Sequence, residues 1–185
     1  MTESSKTKKI LKQTSSILFY VLSGLLITFI LMEIIIPKST IKVFQFKPYV
    51  VITESMEPVL NVDDMIIVYN PNLDKLDKGD IITFEADINY DGTKEVITHY
   101  IDSITLDSQD ERVYRTIRHD GVAPDSWILR DDDIIGVYGF RIPKLGVLVT
   151  FLRSPFGIAA VAVNIVIIIG IVILVKSGKK ESNKI

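Results

Sequence analysis

Two long apolar stretches lie near the ends of this chain, and together they limit what it can fold into. Ile17 to Ile36, "ILFYVLSGLLITFILMEIII", carries one charge, Glu33, toward its far end; Phe156 to Val175, "FGIAAVAVNIVIIIGIVILV", carries none. About 20 apolar residues in a helix cross a hydrocarbon layer of ~30 Å, so each stretch has the length and composition of a span. Helices of a soluble core ordinarily keep a polar face, and neither stretch offers one. Residues 17–36 are therefore read as an N-terminal anchor and residues 156–175 as a C-terminal transmembrane helix.

Charge sets the expected orientation. Lys6, Lys8, Lys9 and Lys12 precede the first stretch, and Lys176, Lys179, Lys180 and Lys184 follow the second. Lys and Arg close to a span favour the cytoplasmic side. The expectation is a multi-pass protein of the cell membrane, with basic tails over 1–16 and 176–185 in the cytoplasm and residues 37–155 outside it. The first stretch is longer than the apolar core of a secretory leader, and "IPKSTIKVF" after it lacks small residues at cleavage spacing, so an uncleaved anchor is expected.

The central 119 residues hold 13 Lys and Arg against 20 Asp and Glu, a net of −7 that the whole-chain value of −2 conceals. An acidic domain lacks the basic face that nucleic acid requires, so no such partner is expected. With no cysteine in the chain, disulfides, thiolate catalysis and cysteine-bound zinc are excluded.

The central segment reads as short β-type runs broken by turn signals. "YVVIT" and "DMIIVYN" flank a turn that holds Ser55; "LDKGD" leads into "IITFEA", and "NYDGTK" carries the Asp-Gly signature of a hairpin. "EVITHYIDSITL", "RVYRTIR" and "DIIGVYGFRI" follow, and no long helical period intervenes. The predicted fold is a small, mostly-β, partly closed domain tethered by two helices. Its two tethers hold it against the membrane surface, so its substrate should arrive in or along the bilayer.

Few groups in this domain can do chemistry. His99 and His119 are its only histidines and lack the spacing of a metal pair, and the run Asp131 to Asp133 reads as a solvated turn, so no metal is expected. A serine becomes a nucleophile when a base takes its proton, and imidazole titrates in the range to take that proton and return it to a leaving amine. Ser55 follows an apolar run at a turn, where a side chain can be both fixed and exposed. Strand alternation puts His99 on one face with Ile97 and Ile101, opposite Val96, Thr98 and Tyr100. Taken alone, Ser55 reads better as a turn hydroxyl, and His99 better as a core histidine with a hydrogen-bond partner, than as a catalytic pair.

The order of several short motifs goes further. "ESMEPVLNVDDMIIV" resembles the Ser-Met-Glu-Pro box of type I signal peptidases, in the subgroup of the endoplasmic reticulum, archaea and some Gram-positive bacteria. "KGDIITF" resembles that family's Gly-Asp box, "ITHYI" the box in which histidine replaces a lysine base, "TIRHDGVAPD" a region ending in an aspartate, and "IIGVYGFRIPKLGVL" the closing glycine-rich strand. The resemblance runs from about Val50 to Phe156 and implies the signal-peptidase type of β domain. By position, Ser55 matches the nucleophile, His99 the general base and Asp125 the third catalytic residue, which orients the imidazole. The fourth box departs from the pattern: Ile117, Arg118 and His119 replace Lys-Gly-Asp, and Asp120 lies one position late as a poorer acid candidate. Glu54 stands where the family has a small residue. Thr53 falls where bacterial relatives place a hydroxyl that helps bind the oxyanion. Lys94, after Asp-Gly-Thr in the hairpin, is the one lysine near the place of a lysine base and reads as exposed.

The resemblance implies a membrane-bound serine endopeptidase that removes N-terminal signal peptides from secretory preproteins through an acyl-enzyme, with shallow pockets for small residues and no cofactor. Its implied partners are signal peptides and membrane lipid, and contact with the export machinery stays open. Two alternatives stay open on the same fold: a catalytically silent, membrane-tethered binding or assembly module, and self-cleavage of the Ser-Lys repressor kind, against which the two spans and the absence of a placed lysine argue.

Overall fold

The computed structural model describes the backbone over residues 3–182 and the side chains over residues 10–174. Lys184 lies outside the described residues. The other tail lysines, except Lys12, fall where only the backbone is described.

Helix α1 runs over Glu3–Ile35 and α4 over Pro155–Ser182. Within them Ile10–Ile35, at a mean hydropathy of 2.3, and Pro155–Leu174, at 3.0, are long and apolar enough to cross a membrane. Their Leu, Ile and Val side chains face outward on all sides, which suits a lipid surrounding. Pro37, with no N–H to leave unpaired, opens α2 (Pro37–Phe44), which stops at Gln45 in the left-handed region (φ 66°). Glu33, the one charge of the first apolar stretch, accepts an ion pair from Lys47 Nζ at 2.8 Å, and the same ammonium donates to the Pro37 carbonyl. A carboxylate placed in an apolar helix thus has a cation within reach.

Six strands follow: β1 (Phe46–Val50), β2 (Met65–Tyr69), β3 (Ile81–Ala86), β4 (Glu95–Leu106), β5 (Arg112–Ile117) and β6 (Ile134–Ile142). They form one mostly antiparallel sheet in the order β1-β2-β6-β3-β4-β5, which does not close. Five strands fall where the alternating runs place them. The first lies upstream of the expected "YVVIT", because Pro48 is tolerated in a strand at the sheet edge. Ile52 and Thr53 leave the strand and are exposed. Two short helices, α2 and α3 (Leu145–Arg153), were not anticipated; at 8 and 9 residues they are too short for periodicity to distinguish.

By packing, the chain divides into two units, Met1–Pro48 with Ile67–Gly139 and Tyr49–Ile66 with Phe140–Ile185. In the first, Ile82, Phe84, Ile101, Tyr114, Leu129 and Ile134 make the core, with Trp127 packed against it. Each fully buried side chain such as Phe84 contributes about 1.5–3 kcal/mol. The Tyr114 hydroxyl, pushed up to about 12 by burial and by its bond to Asp131, donates to that carboxylate at 2.8 Å and stays protonated. Strand β4 pairs with β3 through Ile82↔His99 and with β5 through Ile101↔Thr116, then bulges at Asp102. The extra residue reverses the alternation, so that Ile104 rather than Ser103 reaches the core. Gly136 in β6 has a packing cause: a Cβ there would collide with the Tyr69 carbonyl and lie 2.6 Å from Val68 Cγ1.

Candidate active site

In the first unit the inward face of β4 carries His99, 5% exposed, between Ile97 and Ile101, as alternation predicts. Its ring meets Phe84 edge-on, with centroids 6.3 Å apart, and stacks on Trp127 at 6.1 Å and 27°. An imidazole in such surroundings needs a polar partner, and Asp125 supplies it: His99 Nδ1 lies 2.7 Å from Asp125 Oδ2.

Asp125 is brought there by the return of the chain along β5. Tyr114 and Leu129 exchange two backbone hydrogen bonds, and the Asp125 N–H donates to the Thr116 carbonyl at 2.8 Å. The Thr116 hydroxyl, fully buried, donates to Asp125 Oδ2 at 2.7 Å, and the Trp127 indole N–H donates to Thr116 Oγ1 at 2.9 Å. An ionised carboxylate only accepts, so the proton shared with His99 belongs on Nδ1, assigned from this network, and the ring's lone pair falls on Nε2. That tautomer is the one a general base requires. Sequence reasoning brought His99 and Asp125 forward and missed Thr116 and Trp127. The available signals were the inward parity of Thr116 with Tyr114 and the place of the sole tryptophan two residues after Asp125.

The competing groups are placed elsewhere. Asp120 has a left-handed backbone (φ 52°) and an 89% exposed side chain, and it reaches His119 Nε2 at 3.5 Å. Lys94 donates to Asp133 at 2.6 Å with half its side chain exposed; that bond, and then the charge of Asp133, raise its pKa. A lysine base needs the opposite shift.

The second unit carries Ser55. The turn begins with Glu57 N–H donating to the Glu54 carbonyl at 3.0 Å, and Leu60 N–H donates to the Met56 carbonyl at 2.9 Å. Met56 and Leu60 are buried at 2% and 1%, whereas Thr53 and Glu54 are exposed. Ser55, between them, is half-buried. The long acidic side chain of Glu54 therefore extends outward, which is why a large residue fits there. Thr53 Oγ1 lies 3.4 Å from Ser55 Oγ, longer than a well-formed hydroxyl pair.

Under this turn sits Asp64, 1% exposed. Its carboxylate accepts from the backbone N–H of Asn61 at 3.1 Å and of Lys144 at 3.1 Å, and from Arg141 Nη1 at 2.9 Å. Burial alone raises its pKa, but these bonds and the arginine charge outweigh burial and hold it below the usual carboxylate value. Val51 and the 63–64 pair exchange backbone bonds of 2.9 Å, and Gly146 N–H donates to the Asp63 carbonyl, so the loop bearing Ser55 is closed at its base.

Comparison with known proteins agrees on one family. The family described as "Signal peptidase, peptidase S26" matches residues 21–119, a stretch that contains Ser55 and His99 and ends before Asp125. Signal peptidase I W of Bacillus subtilis (strain 168) is 31% identical over 137 residues, covering 72% of this chain and 69% of that protein. The chain belongs to the signal peptidase family, peptidase S26, and is a hydrolase of the signal-peptidase class.

Proposed function

We propose that this signal peptidase removes N-terminal signal peptides from exported preproteins with Ser55 as nucleophile, His99 as general base and Asp125 as the residue that orients the imidazole. The observation that carries the reading is the buried His99–Asp125 pair at 2.7 Å, which supports a lone pair on Nε2. In the first step Ser55 Oγ attacks the scissile carbonyl while His99 takes its proton, and Asp125 balances the imidazolium charge. The tetrahedral intermediate collapses, His99 returns the proton to the leaving amine of the mature protein, and the signal peptide remains as an ester on Ser55. Water, deprotonated by the same imidazole, then releases it as a carboxylate. Thr53 and the Ser55 N–H are the proposed donors to the oxyanion.

The proposed arrangement puts 17–36 and 156–175 across the membrane, both tails in the cytoplasm and 37–155 outside. The two apolar helices and the lysines beside them support it. Because the chain has no cysteine, Val122→Cys, at a fully exposed position, tests the orientation: a membrane-impermeant maleimide should label it in intact cells, and protection until lysis would reverse the orientation.

The catalytic reading is tested in reconstituted membranes with a full-length preprotein. Ser55→Ala and His99→Ala should each abolish processing, and a serine-reactive acylating probe should label Ser55 in the unaltered chain. Processing that survives either substitution sinks the mechanism. A probe that never labels Ser55 favours the silent binding module.

A further inference from the structure

We propose that Thr116 and Trp127 are positioning residues for the reaction, acting as one hydrogen-bonded relay that fixes the Asp125 carboxylate against His99. The proposal rests on the reading of His99 as the base.

The direction of the relay follows from which groups can only donate. An indole N–H has no acceptor role, so at 2.9 Å Thr116 Oγ1 must accept from Trp127. The hydroxyl proton of Thr116 is then committed to Asp125 Oδ2 at 2.7 Å, the same oxygen that His99 Nδ1 reaches at 2.7 Å. Thr116 also receives the Asp125 N–H on its own carbonyl at 2.8 Å, so one residue holds both the main chain and the side chain of Asp125. Trp127 closes the arrangement, because the ring that starts the relay stacks on the imidazole at its end. Thr116 is fully buried, so water does not replace its hydroxyl. Chains of such bonds polarise one another and act as a unit.

The test uses the full chain in detergent with a preprotein substrate. Thr116→Val should lower kcat about tenfold or more with KM within about twofold, taking as a guide the scale on which the outer hydrogen-bond partners of metal-bound histidines act. Thr116→Ser, which keeps the hydroxyl, should restore most of the loss. Trp127→Phe keeps the ring and removes the N–H, and should cost less than Thr116→Val. The double variant Thr116→Val/Trp127→Phe should be no slower than Thr116→Val alone. Because it removes donor and acceptor together, it also carries the test if the single valine variant folds poorly.

A spectroscopic readout separates positioning from packing. His99 and His119 are the only histidines, so imidazole 15N spectra of a His119→Gln chain report His99 alone. The Nδ1-protonated form should dominate, and its ring proton should exchange faster with water in Thr116→Val. Wild-type kcat in Thr116→Val, a loss that Thr116→Ser leaves in place, or multiplicative losses in the double variant would each overturn the relay. If Ser55→Ala or His99→Ala stays active, the reading of the site fails and the relay with it. If both are inactive and Thr116→Val is not impaired, the relay alone fails.

Discussion

Replacing Asp64 with alanine removes three acceptor contacts at once, and the cost can be worked contact by contact. Two backbone donors, the N–H groups of Asn61 and Lys144, lose their partner beside a carboxylate that is 1% exposed. A buried donor left without a partner costs about 1–3 kcal/mol. The Arg141 side chain is 34% exposed and can turn to water, so its share is discounted to about 0–1 kcal/mol. Asn61 is half-buried and Lys144 exposed, so each backbone donor is taken at the low end of its range, and the total is about 2–3 kcal/mol, a sizeable part of the ~5–15 kcal/mol that separates folded from unfolded chains. Asp64→Asn keeps an acceptor oxygen and should cost less, about 1–2 kcal/mol. The pH dependence has a definite sign. The folded carboxyl lies below its ordinary value of 3.8, so its stabilisation is present at pH above the unfolded value and is lost as pH falls through the folded one. The gap between the unaltered chain and Asp64→Asn should be constant near neutrality and narrow only below about pH 4. Urea unfolding of the full chain in detergent, followed by far-UV circular dichroism at both pH values, measures it. Hydrogen exchange over residues 51–64 should rise in parallel, since the backbone bonds of Val51 close the base of that loop. Asp64→Ala within about 1 kcal/mol of the unaltered chain, with exchange over that segment unchanged, would refute the reasoning.

Two further outcomes follow from the same kind of accounting. Lys94→Met should leave preprotein processing within about twofold, because a half-exposed ammonium whose pKa Asp133 raises stays charged and cannot take a proton; a tenfold loss would restore lysine as the base. Gly136→Ala should destabilise by about 1–3 kcal/mol in thermal melts, because the added methyl meets the Tyr69 carbonyl and Val68. Gly24→Ala, with nothing within 4 Å inside helix α1, is the control that should not lower the melt.

What the sequence disclosed is what local pattern encodes. Alternation put His99 inward because β4 is buried on one face, and that held as far as Ile101. Beyond Ile101 a bulge at Asp102 changes the parity, and no residue type announces it. The first strand was misplaced because Pro48 argues against a strand unless the strand is known to lie at an edge, and edge position is a property of the whole sheet. Asp125 was found through the order of motifs, since nothing in "APDSW" distinguishes it locally from Asp120. Thr116, Trp127 and Asp64 were missed for a common reason: each is polar, buried and satisfied by partners remote in sequence. Local patterns carry no record of such pairings.

That remoteness carries a consequence for assembly. The proposed nucleophile and the proposed base each depend on one buried carboxylate, Asp64 in the second unit and Asp125 in the first. A buried carboxylate is tolerable only when its donors are in place. For Asp64 two of the donors, on Arg141 and Lys144, lie 77 and 80 residues along the chain; for Asp125 one is His99, 26 residues away. Neither carboxylate has its full set of donors until the strands and loops carrying those remote groups have come together. A partly folded chain therefore lacks both the closed Ser55 loop and the correctly protonated imidazole. If the reading of the site is right, proteolytic activity should return during refolding no earlier than protection of the Val51 and Asp125 amides, whose acceptors lie on Asp64 and Thr116. Activity that returned ahead of that protection would separate catalysis from the two carboxylates.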